Sequence, residues 1–227
     1  MDLLATRADS LFIFASTVIT YVLVTESAKN RSARRRTAIF AMKSSKVVTR
    51  PLEDVYEFVL MRASNSSRVE PEELAATRLV LSCILLARMP LSVDSLAEIL
   101  GWATNNLRES LWRLRSVVYV PDVPDEPGLH TVHASFRDYL FERAASELRI
   151  SAVLCDATLA KGSLHIMGKC LHFNLSQSRS SFEQNSPTKP DSMTHSLEYA
   201  CLQWVYHVAN LPKPWIMDRD VDDVLRE

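Results

Sequence analysis

Hydrophobic residues recur at helical spacing along most of this chain, and the strand period of two is confined to two short stretches. Leu52, Val55, Tyr56 and Val59 stand at i, i+3, i+4 and i+7 and predict a helix from Pro51 to Ala63. Proline suits its first turn, where the missing N–H would have had no partner. Asn65 and Ser67 interrupt the pattern. A longer helix starts near Pro71, with Glu70, Glu72 and Glu73 at the positive end of its dipole. Over 79–87 it is apolar on almost every side, as a buried central helix would be, and Met89-Pro90 ends it.

Residues 91–114 read as two helices joined by a tight turn. Ser92 or Asp94 caps the first, which carries Leu96, Ile99 and Leu100, and Gly101 follows as a left-handed end. Thr104 is the expected cap of the second, which buries Leu107, Leu111 and Leu114. Two short strands, 117–120 and 129–132, flank a tip rich in proline and acid at 121–127. Helix, helix, helix, hairpin is the order of a winged helix. After Arg149 the pattern is helical again, broken by a serine-rich loop at 176–195. The helix around Tyr199, Cys201 and Trp204 is amphipathic, with its aromatics expected in the core. The tail from Asp218 is acidic and expected to fray. The fold class expected is mainly α: a helical domain, then a winged helix, then a further helical region.

The junction at 129–143 stands out. An extended piece runs into a helix whose expected cap is Ser135, with Asp138 as the acid of a capping box. Phe136, Tyr139 and Leu140 share one apolar face. His133 sits where strand meets helix. There its ring either hydrogen-bonds its own backbone turn or points into a cleft.

Composition narrows the chemistry. A net charge of −1 supplies no general field for nucleic acid or membrane. The glycines are Gly101, Gly128, Gly162 and Gly168, and they form neither of the glycine-rich phosphate loops G-x-x-x-x-G-K-[ST] and G-x-G-x-x-G. Cys83, Cys155, Cys170 and Cys201 contain no C-x-x-C pair, which suits reduced thiols in the cytoplasm. His130 and His133 fall on opposite faces of a strand and make a poor metal pair. No catalytic or metal-ligating constellation is expected, since neither G-x-S-x-G nor H-E-x-x-H occurs.

Three stretches have rival readings. The apolar run 11–24 is shorter than the roughly twenty residues a membrane span needs, so a buried helix is expected, with a membrane anchor as the minority reading. The run 29–50 carries Lys29, Arg31, Arg34, Arg35, Arg36, Lys43, Lys46 and Arg50 with no acid. Such a run could bind nucleic acid, anionic lipid or an import receptor, but with Phe40 alone for stacking it reads as a solvated linker. The helix at 105–115 offers Asn105, Asn106, Arg108, Arg113 and Arg115 to a DNA groove, but Asp122, Asp125 and Glu126 at the adjacent tip repel phosphate.

Residues 133–140, His-Ala-Ser-Phe-Arg-Asp-Tyr-Leu, resemble the end of the winged-helix domain in NACHT-type STAND NTPases, signalling P-loop ATPases of fungi and of animal innate immunity. The family form is His-x-Ser-Phe-x-(Asp/Glu)-(Tyr/Phe)-Leu, and its histidine contacts the β-phosphate of ADP in the resting state. Other stretches resemble family blocks in the same order. Residues 9–18 are similar to the close of the NACHT core, and 87–101 and 111–120 to its winged-helix blocks. Residues 156–175 resemble a downstream block of mushroom-type members, with Asp156-Ala157 and Ser163-Leu164 where His-Ala and Cys-Leu usually stand. Residues 199–204 resemble its Tyr-Ala-Cys-x-x-Trp block.

The resemblance implies a division into 1–28, the end of a NACHT core; 29–50, a basic linker; 51–70, a helical segment; 71–147, the winged helix; and 148–227, a helical region with a flexible loop at 176–195. It makes His133 a nucleotide-sensing residue, with Ser135, Phe136, Asp138, Tyr139 and Leu140 as its structural motif. The phosphate-holding lysine and the Mg²⁺-holding acids of such ATPases would lie upstream of this chain. The chain alone is thus expected to be non-catalytic and without a cofactor, meeting ADP or ATP only together with an intact NACHT core, in cis or in trans. Self-association through 11–24 is expected. The alternatives are a protein-interaction module with no nucleotide role and a DNA-binding winged helix.

Overall fold

A computed structural model describes residues 16–17, 51–63, 71–121, 128–145, 148–175, 182 and 193–212. The basic linker 29–50, the tip 122–127, the acidic tail, and most of 11–24 and of the serine-rich loop lie outside the described residues. The described chain is mainly α. Its elements are α1 (Pro51–Ala63), α2 (Pro71–Leu86), α3 (Val93–Leu100), α4 (Thr104–Leu114), β1 (Val118–Tyr119), β2 (His130–Thr131), α5 (Ala134–Asp138), a π-helical turn (Tyr139–Arg143), α6 (Ala152–Cys170) and α7 (His195–Ala209). No helix among the described residues is long and apolar enough to cross a membrane.

These elements form two compact units that interleave along the sequence. One takes residues up to 85 together with 108–122 and 129–150; the other takes 86–107, 123–128 and 151 onward. Neither coincides with 71–147. The helix α3 belongs to the second unit and the hairpin to the first, and α4 runs from one to the other.

In the first unit, α1 buries Val55, Tyr56 and Val59, as its spacing predicts, and Leu60 beside them, while Leu52 is only part-buried. Val80, Leu81, Cys83 and Leu85 of α2 are buried too. The hairpin pairs Val118 with Thr131 and Tyr119 with His130. Val118 points inward, while Tyr119 lies outside with its ring 4.7 Å from the His130 ring. Each strand is two residues long, shorter than the sequence suggests. Pro121 has no N–H to extend the ladder on one side, and on the other the chain turns at His133 to start α5.

In the second unit, Ser92 caps α3 by accepting the Ser95 N–H at 3.0 Å, and Gly101 ends it at φ 67°. Both follow the sequence reading. Thr104 does not cap α4: it is the first helical residue, and the Ala103 carbonyl accepts from Asn106 and Leu107. Ser151 and Thr194 cap α6 and α7 through the N–H groups of Leu154 and Leu197. α6 lies close against α3 at Gly162, where a Cβ would overlap the Ile99 carbonyl oxygen. Ser196 of α7 hydrogen-bonds the Glu98 carboxylate of α3.

Candidate functional site

His133 is the N-cap of α5. Its backbone is extended, at φ −149° and ψ 143°, and its Nδ1 accepts the Ser135 N–H at 3.1 Å. This corrects the expectation that Ser135 caps the helix. Ser135 is the second helical residue, and the position a capping-box acid would fill is held by Phe136. Asp138 is exposed and makes no side-chain cap bond. An imidazole can do the work of a cap oxygen because its unprotonated nitrogen is an acceptor held two bonds from Cβ, in reach of the first-turn donors.

A chain of hydrogen bonds holds that ring. Ser135 Oγ lies 2.8 Å from His133 Nδ1, and the Tyr56 hydroxyl of α1 lies 3.0 Å from Ser135 Oγ. With Nδ1 accepting, the Ser135 O–H donates to it and the Tyr56 O–H donates to Ser135. Burial pushes the Tyr56 hydroxyl above its usual pKa, against the smaller, opposing effect of the Ser135 hydrogen bond. Tyr56 therefore keeps its proton at neutral pH. In the neutral His133 ring the one free proton is then on Nε2. The ring can then donate from that nitrogen.

Aromatic packing fixes the platform beneath. The Tyr56 ring meets Phe136 edge-on at 4.9 Å and Tyr139 at 5.6 Å. Phe136, Tyr139 and Leu140 are all buried. At Tyr139 the helix widens, and Ala144 N–H bonds back five residues to the Tyr139 carbonyl at 2.8 Å. Such π turns are frequent at functional sites, though a packing role alone also produces them. Arg137 donates to the Leu85 carbonyl at the end of α2, at 3.2 Å, and Arg143 pairs with Glu53 at 2.7 Å.

Two of the arginines offered to DNA make contacts within the protein. Arg113 pairs with Glu109 at 3.1 Å, and Arg115 donates to the Val120 carbonyl and lies over the Trp112 ring at 4.6 Å. Among the described residues no group of three His, Cys, Asp or Glu is placed to hold a metal.

Sequence reasoning missed a second polar cluster, inside the second unit. His207 Nδ1 lies 2.7 Å from Asp156 Oδ1, and His207 Nε2 lies 2.8 Å from the Tyr199 hydroxyl. All three residues are buried. The carboxylate accepts, so Nδ1 carries a proton, and in the neutral ring Nε2 accepts from Tyr199. The Tyr199 oxygen in turn accepts the Arg88 N–H at 3.4 Å. One signal was available: Asp156 shares a helical face with Leu159, Ala160 and Ser163, and an acid on a buried face needs a partner.

No family model, curated protein or solved structure matches the chain.

Proposed function

We propose that this chain is a non-catalytic regulatory part of a NACHT-type STAND NTPase, a cytoplasmic winged-helix and helical module that reads the nucleotide held by an associated core. The observation that carries the reading is the state of His133. Its Nδ1 is committed to Ser135, which leaves Nε2–H as a neutral donor. A diphosphate oxygen can accept from such a donor. The resemblance at His133, Ser135, Phe136, Asp138, Tyr139 and Leu140 supplies the ligand class. In this reading the contact forms only while the module is folded back on ADP. The histidine then biases the resting state over the active one, because a ligand shifts an equilibrium only through differential contacts. The partner is a NACHT core, in cis or in trans, and the apolar run 11–24 serves self-association.

The test joins the chain to a homologous NACHT core and compares ADP release in wild type and His133→Asn. Asparagine caps a helix well and cannot place a donor where Nε2 stands. ADP release should accelerate roughly 5–150-fold, the range of a typical coupling of 1–3 kcal/mol. Equal release rates at equal thermal stability would reduce His133 to a helix cap.

A further inference from the structure

A cavity of about 120 Å³ opens in the second unit, bordered by Leu91, Ser95, Gly128, Glu198 and Tyr199 among others. Its volume is comparable with the roughly 150 Å³ cavities that take a benzene-sized molecule. Its walls are set from several sides. Tyr199 is held by His207 and by the Arg88 N–H. Gly128 presses on the loop before α3 so closely that a Cβ would stand 2.7 Å from the Leu91 carbonyl oxygen.

The polar groups of the lining are arranged by sign. Ser92 Oγ accepts the Ser95 N–H and donates its own proton to Ser95 Oγ at 2.9 Å. Ser95 is 4% exposed, and its hydroxyl proton has no acceptor among the described residues. A buried donor without an acceptor costs free energy, and a ligand acceptor would recover it. Glu198, half-buried, brings a carboxylate that only accepts, and the exposed His195 ring at the rim stands 4.0 Å from it. Ser95 thus offers a donor and Glu198 an acceptor to the same cavity, beside the apolar side chains of Met89, Pro90 and Leu91.

We propose that this cavity binds a primary carboxamide, whose oxygen takes the Ser95 proton and whose NH₂ group donates to Glu198. The amide carries acceptor and donors in one plane. A carboxylate would meet the Glu198 charge, and an ammonium would bring Ser95 no acceptor. The group comes either from a small free amide or from an asparagine or glutamine side chain of a partner.

The experiment titrates the whole chain by calorimetry with propionamide, propionate, propylammonium and N-acetylglutaminamide. Propionamide should saturate with a Kd of ~1–10 mM, as suits so small a ligand. The two ions should bind at least about tenfold more weakly. Ser95→Ala should weaken propionamide binding about tenfold while the helix stays capped, because Ser92 caps through the backbone N–H of residue 95. Glu198→Gln should weaken it to a smaller degree. Tighter binding of N-acetylglutaminamide than of propionamide assigns the ligand to a partner's side chain, and the reverse assigns it to a free amide. Indistinguishable binding of propionamide and the two ions, or Ser95→Ala binding propionamide as wild type does, overturns the proposal. So does the absence of saturation below ~50 mM.

Discussion

His207 Nδ1 lies 2.7 Å from Asp156 Oδ1 in a place where the imidazole is wholly shielded from water. The two residues sit on different helices, α6 and α7, so the bond ties one helix to the other. Tyr199 extends the tie on the far side of the ring. In the low dielectric of a helix pair, each of these bonds is stronger than in water, and each broken one is costlier.

The first prediction follows from that asymmetry. Asp156→Ala leaves a buried N–H without an acceptor, and Tyr199→Phe leaves a buried lone pair without a donor. Each should lower unfolding free energy by ~1–3 kcal/mol. Because both act through the same ring, the double variant should depart from additivity by ~0.5 kcal/mol or more. Urea unfolding of the two single variants and the double variant measures this. Strict additivity would mean that the three side chains are neighbours without being a network.

A second prediction concerns Tyr56. Its folded-state pKa is raised, chiefly by burial. A group whose pKa is higher folded than unfolded adds stability below the unfolded value and loses it as pH rises through the folded one. Stability should therefore fall as pH climbs past the ordinary tyrosine value of about 10. Tyr56→Phe should flatten that part of the profile. Denaturant midpoints across alkaline pH give the comparison, and an unchanged slope in Tyr56→Phe would assign the alkaline loss to other groups.

The sequence made some of this legible and hid the rest for physical reasons. Helix spans and buried faces of α1 and α3 follow from apolar spacing, because burial is what the spacing encodes. Ser92 and Gly101 were readable because cap chemistry is local. The cap of α5 was misread because histidine is seldom counted among cap acceptors, and the Ser-x-x-Asp pattern beside it is the commoner signal. The bond from Tyr56 to Ser135 spans 79 residues, and no local rule anticipates it. The pairing of Asp156 with His207 is hidden for the same reason, since it depends on how two helices pack.

The third prediction separates the two jobs His133 could do. As the cap of α5 it should matter to stability without any nucleotide present. His133→Ala should cost ~0.5–2 kcal/mol, whereas His133→Asn should cost only a few tenths. Thermal or urea unfolding of both variants in the isolated chain reads the difference. If alanine proves as stable as wild type, the bond from Ser135 N–H to Nδ1 contributes nothing, and His133 loses the constraint that fixes its donor nitrogen.

The last prediction uses two glycines of one helix, α6. A Cβ at Gly162 would overlap the Ile99 carbonyl oxygen and crowd its side chain, while a Cβ at Gly168 would meet nothing within 4 Å. Replacing either glycine with alanine removes the same backbone freedom from the unfolded chain, so the intrinsic gain of ~0.5–1 kcal/mol is common to both. Gly168→Ala should realise that gain and raise the melting temperature by roughly 1–4 °C. Gly162→Ala should lose more than it gains, because backbone cannot give way as a flexible side chain can, and overpacking costs ~1–3 kcal/mol or more. The difference between the two variants isolates the close approach of α3 and α6 from helix propensity. Equal stabilisation by both would mean that α3 does not press on α6 at Gly162, and the packing described for that helix pair would have to be redrawn.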